Sequence, residues 1–233
     1  MKVSRKFSVA MQYILDELLP PIIRDSKWFM YLPMKLVLKD SVNDFMFFKN
    51  NVFSFDKRRF GDLYKRTGHV QELQGETDLN KECTEAILNS IAFEKVLEVG
   101  CGRGYLANKI EAAGRKITAC DIVINKTLIK KYPKVKFVKA DIEALPFKDK
   151  SFDVVVTTHT LEHVQNLPKA INELRRVARK QLIIVVPRQR PYKYTFSLHT
   201  QFFPYEWSLQ NGFGYQKNAI INRLGDWFYV ENL

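Results

Sequence analysis

An open, doubly wound α/β sheet, mostly parallel, with a helical and aromatic N-terminal extension is the fold this sequence predicts. Three observations carry it. From residue 81 onward short apolar strands alternate with helical stretches; the first strand runs straight into a glycine-rich turn; and acidic residues close the next two strands. Strands are expected over 95–99, 116–121, 136–139, 152–157 and 181–186, and helices over 79–92, 104–113, 125–131 and 167–178. Parallel neighbours need a crossover on one face of the sheet. Right-handed crossovers of this length place helices on both faces and a ligand beyond the carboxyl ends of the strands.

The chain divides into an extension over 1–80 and a catalytic domain over 81–233. The extension is aromatic, basic and irregular, as in Trp28-Phe29-Met30-Tyr31 and Phe45-Met46-Phe47-Phe48, without internal repeat. Val9, Tyr13, Ile14, Leu15, Leu18 and Leu19 recur at helical spacing, so 8–19 reads as an amphipathic helix that Pro20 ends. The extension packs on the main domain, covers a substrate as a lid, or makes peripheral contact with a membrane, since aromatic rings beside Lys and Arg suit that boundary.

The chemistry centres on Val96-Leu97-Glu98-Val99-Gly100-Cys101-Gly102-Arg103-Gly104. Gly100, Gly102 and Gly104 let the backbone turn tightly and approach a ligand where a Cβ would intrude. The same stretch satisfies G-x-G-x-x-A, with Asp121 19 residues after Gly102, so a dinucleotide site stays open as an alternative. Glu98 weighs against it: a carboxylate there opposes a pyrophosphate and suits a cofactor carrying an amine and a sulfonium. Asp121, closing the second strand, can accept from both hydroxyls of a ribose. Asp141, closing the third, offers a carboxylate to an adenine amine, or caps a short following helix.

The fourth strand ends in Thr157-Thr158-His159-Thr160-Leu161-Glu162-His163-Val164. With that block in place, residues 93–187 resemble the class I S-adenosylmethionine-dependent methyltransferases of the small-molecule type 11 group. The resemblance implies a seven-stranded sheet with an antiparallel last strand, its hairpin supplied by 213–221 and 227–231. It also implies S-adenosylmethionine as cofactor. Glu98, Gly100, Gly102 and Gly104 would lie along the methionine moiety, Asp121 at the ribose, Ile122, Asp141 and Ile142 at the adenine, and His159 beside the sulfur. Residues 1–80 and 188–207 match no subfamily pattern.

A base is needed only where the acceptor must lose a proton, and His159, His163 and His199 are the candidates, because an imidazole titrates near neutrality. His163 has a competing role in capping or packing. The stretch from Arg188 to Trp207 mixes cations with aromatic rings: either it faces the cleft and suits an acidic, phosphorylated or saccharide acceptor, or its aromatics pack against the extension. Lys65 or Arg66 could meet the cofactor's carboxylate, though an exposed charge run is the plainer account.

Charge and cysteines bound the remainder. The 233 residues carry a net charge of +12, with 13 basic against 10 acidic residues in 1–80 and 24 against 15 in 81–233. Lys126, Lys130, Lys131, Lys134, Lys136 and Lys139 read first as a solvated face and only weakly as a binding patch. Cys83, Cys101 and Cys120 suggest neither a disulfide framework nor a metal site. No apolar run reaches the roughly 18 residues of a membrane span, and no cleavable leader is apparent, so a cytoplasmic protein is expected. The expectation is methyl transfer to a small molecule. The alternatives are RNA methylation, drawn from the charge; a nicotinamide-dependent oxidoreductase; and a non-catalytic Rossmann-like binding module.

Overall fold

Apolar runs without alternation need cover on both faces of a sheet, and the central strands have it. Leu97, Val155 and Leu182 enter one buried cluster, while their neighbours Val96, Val154 and Ile183 enter the other. The computed structural model describes residues 13–71, 76–194 and 196–233. Contacts divide the chain into two units, Met1–Asp78 with Gln189–Phe202, and Leu79–Arg188 with Phe203–Leu233.

The second unit is the sheet. Its strands are β1 (Lys95–Val99), β2 (Lys116–Asp121), β3 (Lys136–Lys139), β4 (Phe152–Thr158), β5 (Ala178–Val186), β6 (Ala219–Leu224) and β7 (Asp226–Asn232), in the order β3-β2-β1-β4-β5-β7-β6. β1 to β5 pair in parallel, and β7 runs antiparallel to both its neighbours. The chain winds outward from β1 to β3 and then returns to β4 on the other side of β1. The crevice between the ends of β1 and β4 is therefore the switch point where such sheets take ligands. Helices Lys81–Ser90 and Tyr105–Ala112 cover one face through Cys83, Ile87, Leu106 and Ile110, and Leu167–Val177 and Glu206–Phe213 cover the other through Ile171, Leu174, Leu209 and Phe213.

The sequence places the first five strands closely but misreads the hairpin's first arm. Phe213 ends a helix, and β6 begins only at Ala219. Gly212, Gly214 and the polar residues after it break the strand pattern that the aromatic residues alone suggest.

The first unit is helical rather than irregular. It holds α1 (Lys27–Leu38), α2 (Val42–Asn51) and α3 (Lys57–Gln71), preceded by a wide turn at Ile14–Leu18 and a single helical turn at Pro21–Arg24. Met30, Met34 and Leu38, one turn apart on α1, are buried with Phe45 and Phe48 of α2 and Phe60 and Leu63 of α3. Pro33 lies inside α1 and apolar residues surround that helix, which hides its period from a sequence reading. Of the expected helix over 8–19, residues 8–12 lie outside the described residues. Tyr194 and Leu198 join this core, and the buried Arg24 guanidinium donates to Pro191 O at 3.2 Å and Leu15 O at 3.3 Å. The aromatics of 189–202 thus pack with the N-terminal helices, the second of the two accounts given for that stretch.

Candidate cofactor site at the carboxyl end of the sheet

β1 delivers Glu98 and the glycine turn to the switch point. Gly100 N and Cys101 N donate to Cys120 O at 2.8 and 3.0 Å, so the turn is laced to β2. Gly100, Gly102 and Gly104 all hold positive φ, at +78°, +48° and +73°. A Cβ on Gly100 would stand 1.9 Å from Thr160 Oγ1, whereas one on Gly102 would meet nothing within 4 Å. Gly100 is therefore required by the β4 loop packed behind it. Gly102 presents bare backbone to open space.

Glu98 is 2% exposed, and one of its oxygens, Oε2, has no hydrogen-bond partner among the described residues. Burial first, then repulsion from Asp121, pushes its carboxyl up to about 8, against the opposing pull of the Ala107 N–H in the first turn of Tyr105–Ala112. Asp121 Oδ2 accepts from Gly102 N at 2.9 Å and Oδ1 from Val123 N at 3.1 Å. Burial raises the Asp121 carboxyl while those N–H groups, and His163 through space, hold it down. With the Ile122 N–H also bonded to it, the carboxylate keeps one lone-pair site for a further donor. Ile122 follows Asp121, half-buried.

Asp141 closes a tight turn instead of capping a helix. Its Oδ1 accepts from Glu143 N and its backbone O from Ala144 N, both at 2.9 Å, and no helix follows β3 before β4. Ile142 is half-buried against the cluster that contains Leu97.

His159 differs most from its expected role. Its φ is +48°, a strained value for a residue with a Cβ, and its backbone N donates to Val185 O at 2.9 Å. The ring lies between two carboxylates, Nδ1 3.4 Å from Glu162 and Nε2 3.5 Å from Asp226, with its side chain 15% exposed. Burial disfavours the imidazolium, but Asp226 and Glu162 outweigh it and push the pKa up to about 10. A ring held protonated at neutrality has no lone pair to offer, so the geometry opposes His159 as a general base. Asn80 completes the cluster: its Nδ2 donates to Asp226 Oδ2 and Leu224 O at 2.8 Å, and its Oδ1 caps Lys81–Ser90 by accepting from Cys83 N.

His163 ends a short turn, its N donating to Thr160 O at 3.0 Å, and its charge acts on Asp121. His199 belongs to the other unit, where Nδ1 sits 2.5 Å from Gln189 Oε1. Arg66, also there, pairs with Asp44 at 2.7 Å, and the Lys65 side chain lies outside the described residues. Burial keeps the Cys101 and Cys120 thiols protonated, the latter pushed up to about 12, so neither serves as a nucleophile. Sequence reasoning missed Thr160, whose side chain makes glycine obligatory at 100, Asp226, which meets His159 from β7, and Asn80, which holds Asp226. An orphaned buried carboxylate oxygen beside uncovered backbone fits a ligand that brings a cation to Glu98 and a hydroxyl to Asp121.

Residues 97–186 match the type 11 methyltransferase-domain family model. The chain is 35% identical over 106 residues to a probable S-adenosylmethionine-dependent methyltransferase of Mycobacterium tuberculosis (Rv3030), covering 44% of this chain and 37% of that one. It is 30% identical over 137 residues to a ubiquinone biosynthesis O-methyltransferase of Rickettsia bellii, covering 55% and 57%. Burkholderia thailandensis 1,6-didemethyltoxoflavin-N1-methyltransferase, solved with S-adenosylhomocysteine, superposes with a TM-score of 0.50 at 17% identity over 65% of this chain and 76% of that one. The fold is thus the Rossmann-like fold of class I methyltransferases. Over 97–186 the chain is similar to the type 11 group of S-adenosylmethionine-dependent methyltransferases, and it spans less than two thirds of the length of these curated relatives.

Proposed function

We propose that the chain transfers a methyl group from S-adenosylmethionine to a small-molecule acceptor of acidic, saccharide or lipid-linked character. The observation that carries this reading is Glu98, a buried carboxylate with an oxygen unpartnered among the described residues, placed behind the exposed backbone of Gly102. A bound ammonium would restore its ionisation; a pyrophosphate would be repelled. In this reading Glu98, Gly100, Gly102 and Gly104 hold the methionine moiety, Asp121 the ribose, and Ile122, Asp141 and Ile142 the adenine. The name of the Rickettsia relative supports a small acceptor with a lipid-like tail.

When bound, the cofactor supplies a methyl carbon on a sulfonium, which an acceptor atom displaces in line as the C–S bond breaks. The protein's part is to hold the two partners at near contact, a gain available without any proton transfer. Where the acceptor must lose a proton, His163 and His199 remain the candidate bases. His159 instead fixes the β4 loop whose Thr160 lies against Gly100. Cys83, Cys101 and Cys120 are buried thiols, which suits a reducing cytoplasmic setting.

Thermal denaturation with S-adenosylmethionine, S-adenosylhomocysteine or NAD tests the reading. Either sulfur ligand should raise the melting midpoint and NAD should not. Stabilisation by NAD alone would refute it.

A further inference from the structure

Helix α1 is apolar on the side that faces its own core and apolar again on the side that faces water. Met30, Met34 and Leu38 are buried to 1% exposure or less, yet Trp28 is 87% exposed, Leu32 64% and Leu36 73%. At roughly 100° per residue, positions 28, 32 and 36 advance about 40° at each step. They therefore form one continuous outward stripe, with Tyr31 beside it. The turn before α1 adds Ile22, 85% exposed. A soluble helix gains nothing from such a stripe, and contiguous exposed apolar surface of this kind marks a docking face.

The charges on the helix say what docks. Within KWFMYLPMKLVL the charged residues are Lys27, whose ammonium lies 5.4 Å from the centre of the Phe47 ring of α2, and the exposed Lys35, and the exposed Lys39 follows directly. The acidic neighbours are Asp25, whose carboxylate takes the Lys193 N–H at 2.7 Å and lies 3.7 Å from Arg24, and the exposed Asp40. Lys35 projects between Tyr31 and Trp28, at the edge of the stripe, where a long stem can follow apolar surface and lift its ammonium out. Tryptophan and leucine on one face with lysine at its edge is the composition of a helix that lies in a bilayer interface. The helix has 12 residues, about 18 Å at 1.5 Å each, too short to cross a membrane, and no described helix is long and apolar enough to do so.

We propose that the outward face of α1 docks the protein on a lipid surface carrying anionic headgroups, with Trp28, Leu32 and Leu36 entering the acyl boundary and Lys35, with Lys39 at the end of the helix, meeting headgroup phosphates. The proposal rests on no part of the methyl-transfer reading, and cofactor binding can be measured separately in every variant below.

Flotation of the full chain with vesicles tests it. The chain should float with phosphatidylcholine mixed with phosphatidylglycerol, less with phosphatidylcholine alone, and less again as salt rises. Trp28→Ser/Leu32→Ser/Leu36→Ser should lose about tenfold or more of the bound fraction with an unchanged melting midpoint. Lys35→Glu, which leaves the stripe intact, should weaken binding to the anionic vesicles only. A chain that stays unbound, or a serine variant that floats as well as the parent, overturns the proposal. So does an ultracentrifugation result in which the chain is a dimer and the serine variant a monomer, which would assign the face to a second copy.

Discussion

The sheet unit and the N-terminal unit put their costly groups in opposite places. In the sheet unit they are inside: Glu98, His159 and Glu162 are buried or nearly so, and His159 is answered by carboxylates from the β4 loop and from β7. In the N-terminal unit they are outside. Among the described residues, twelve of the nineteen large apolar side chains that stand exposed fall between Tyr13 and Phe53. A buried charge costs several kcal/mol unless paired, and a wide apolar patch in water is a standing liability. The difference teaches that the sheet unit is organised around buried, mutually paired charges and the N-terminal unit around an exposed apolar surface.

His159 is where that contrast breaks most readily. His159→Ala leaves Glu162 and Asp226 buried without the cation between them, and denaturant unfolding at neutral pH should show a loss of about 3–5 kcal/mol. His159→Gly accepts the positive φ but also lacks the ring, so its loss should be smaller by the backbone strain alone, about 1 kcal/mol. The sign of the pH effect follows. A folded pKa of about 10 stands above the ordinary 6.5, so this contribution is complete below pH 6.5 and fades as pH rises through 10. Both variants should flatten that decline. A His159→Ala loss under about 1 kcal/mol would show that the ring does not clamp the loop.

A smaller effect is expected at Asp121. Asp121→Ala should weaken cofactor binding by about 1.5–3 kcal/mol, because a charge-assisted hydrogen bond to the ribose disappears and the Gly102 N–H is left unmet. Calorimetry that returned the parent's affinity would place the ribose elsewhere.

The same contrast explains what could be read from the sequence. Strands 95–99 and 116–121 were legible to the residue, because a buried parallel strand is a short apolar run with abrupt polar ends and needs no distant information. The glycine turn was legible because positive φ leaves a mark in residue type. The helices of the first unit were not. A helix with apolar residues on two sides has no single stripe, and Pro33 at its seventh position argues against helix by local rules that the surrounding core overrides. Within the site, His159 could be placed at the end of β4 but not between its two carboxylates, since Asp226 lies 67 positions further on and is brought there only by the antiparallel return of β7. Asp141 reads locally as a cap on a short helix, whereas it closes a tight turn, since no helix follows β3 before β4.

The central claim is that Glu98 is a carboxylic acid waiting for a cation. Calorimetric titration with S-adenosylhomocysteine, repeated in buffers of different ionisation enthalpy near pH 7, measures it directly. With its carboxyl pushed up to about 8, Glu98 should shed a proton as the ligand's ammonium arrives. Binding should therefore release protons in the parent, and Glu98→Gln should bind more weakly and release none. Saturable binding of NAD in place of S-adenosylhomocysteine, or undiminished proton release in Glu98→Gln, would contradict the account.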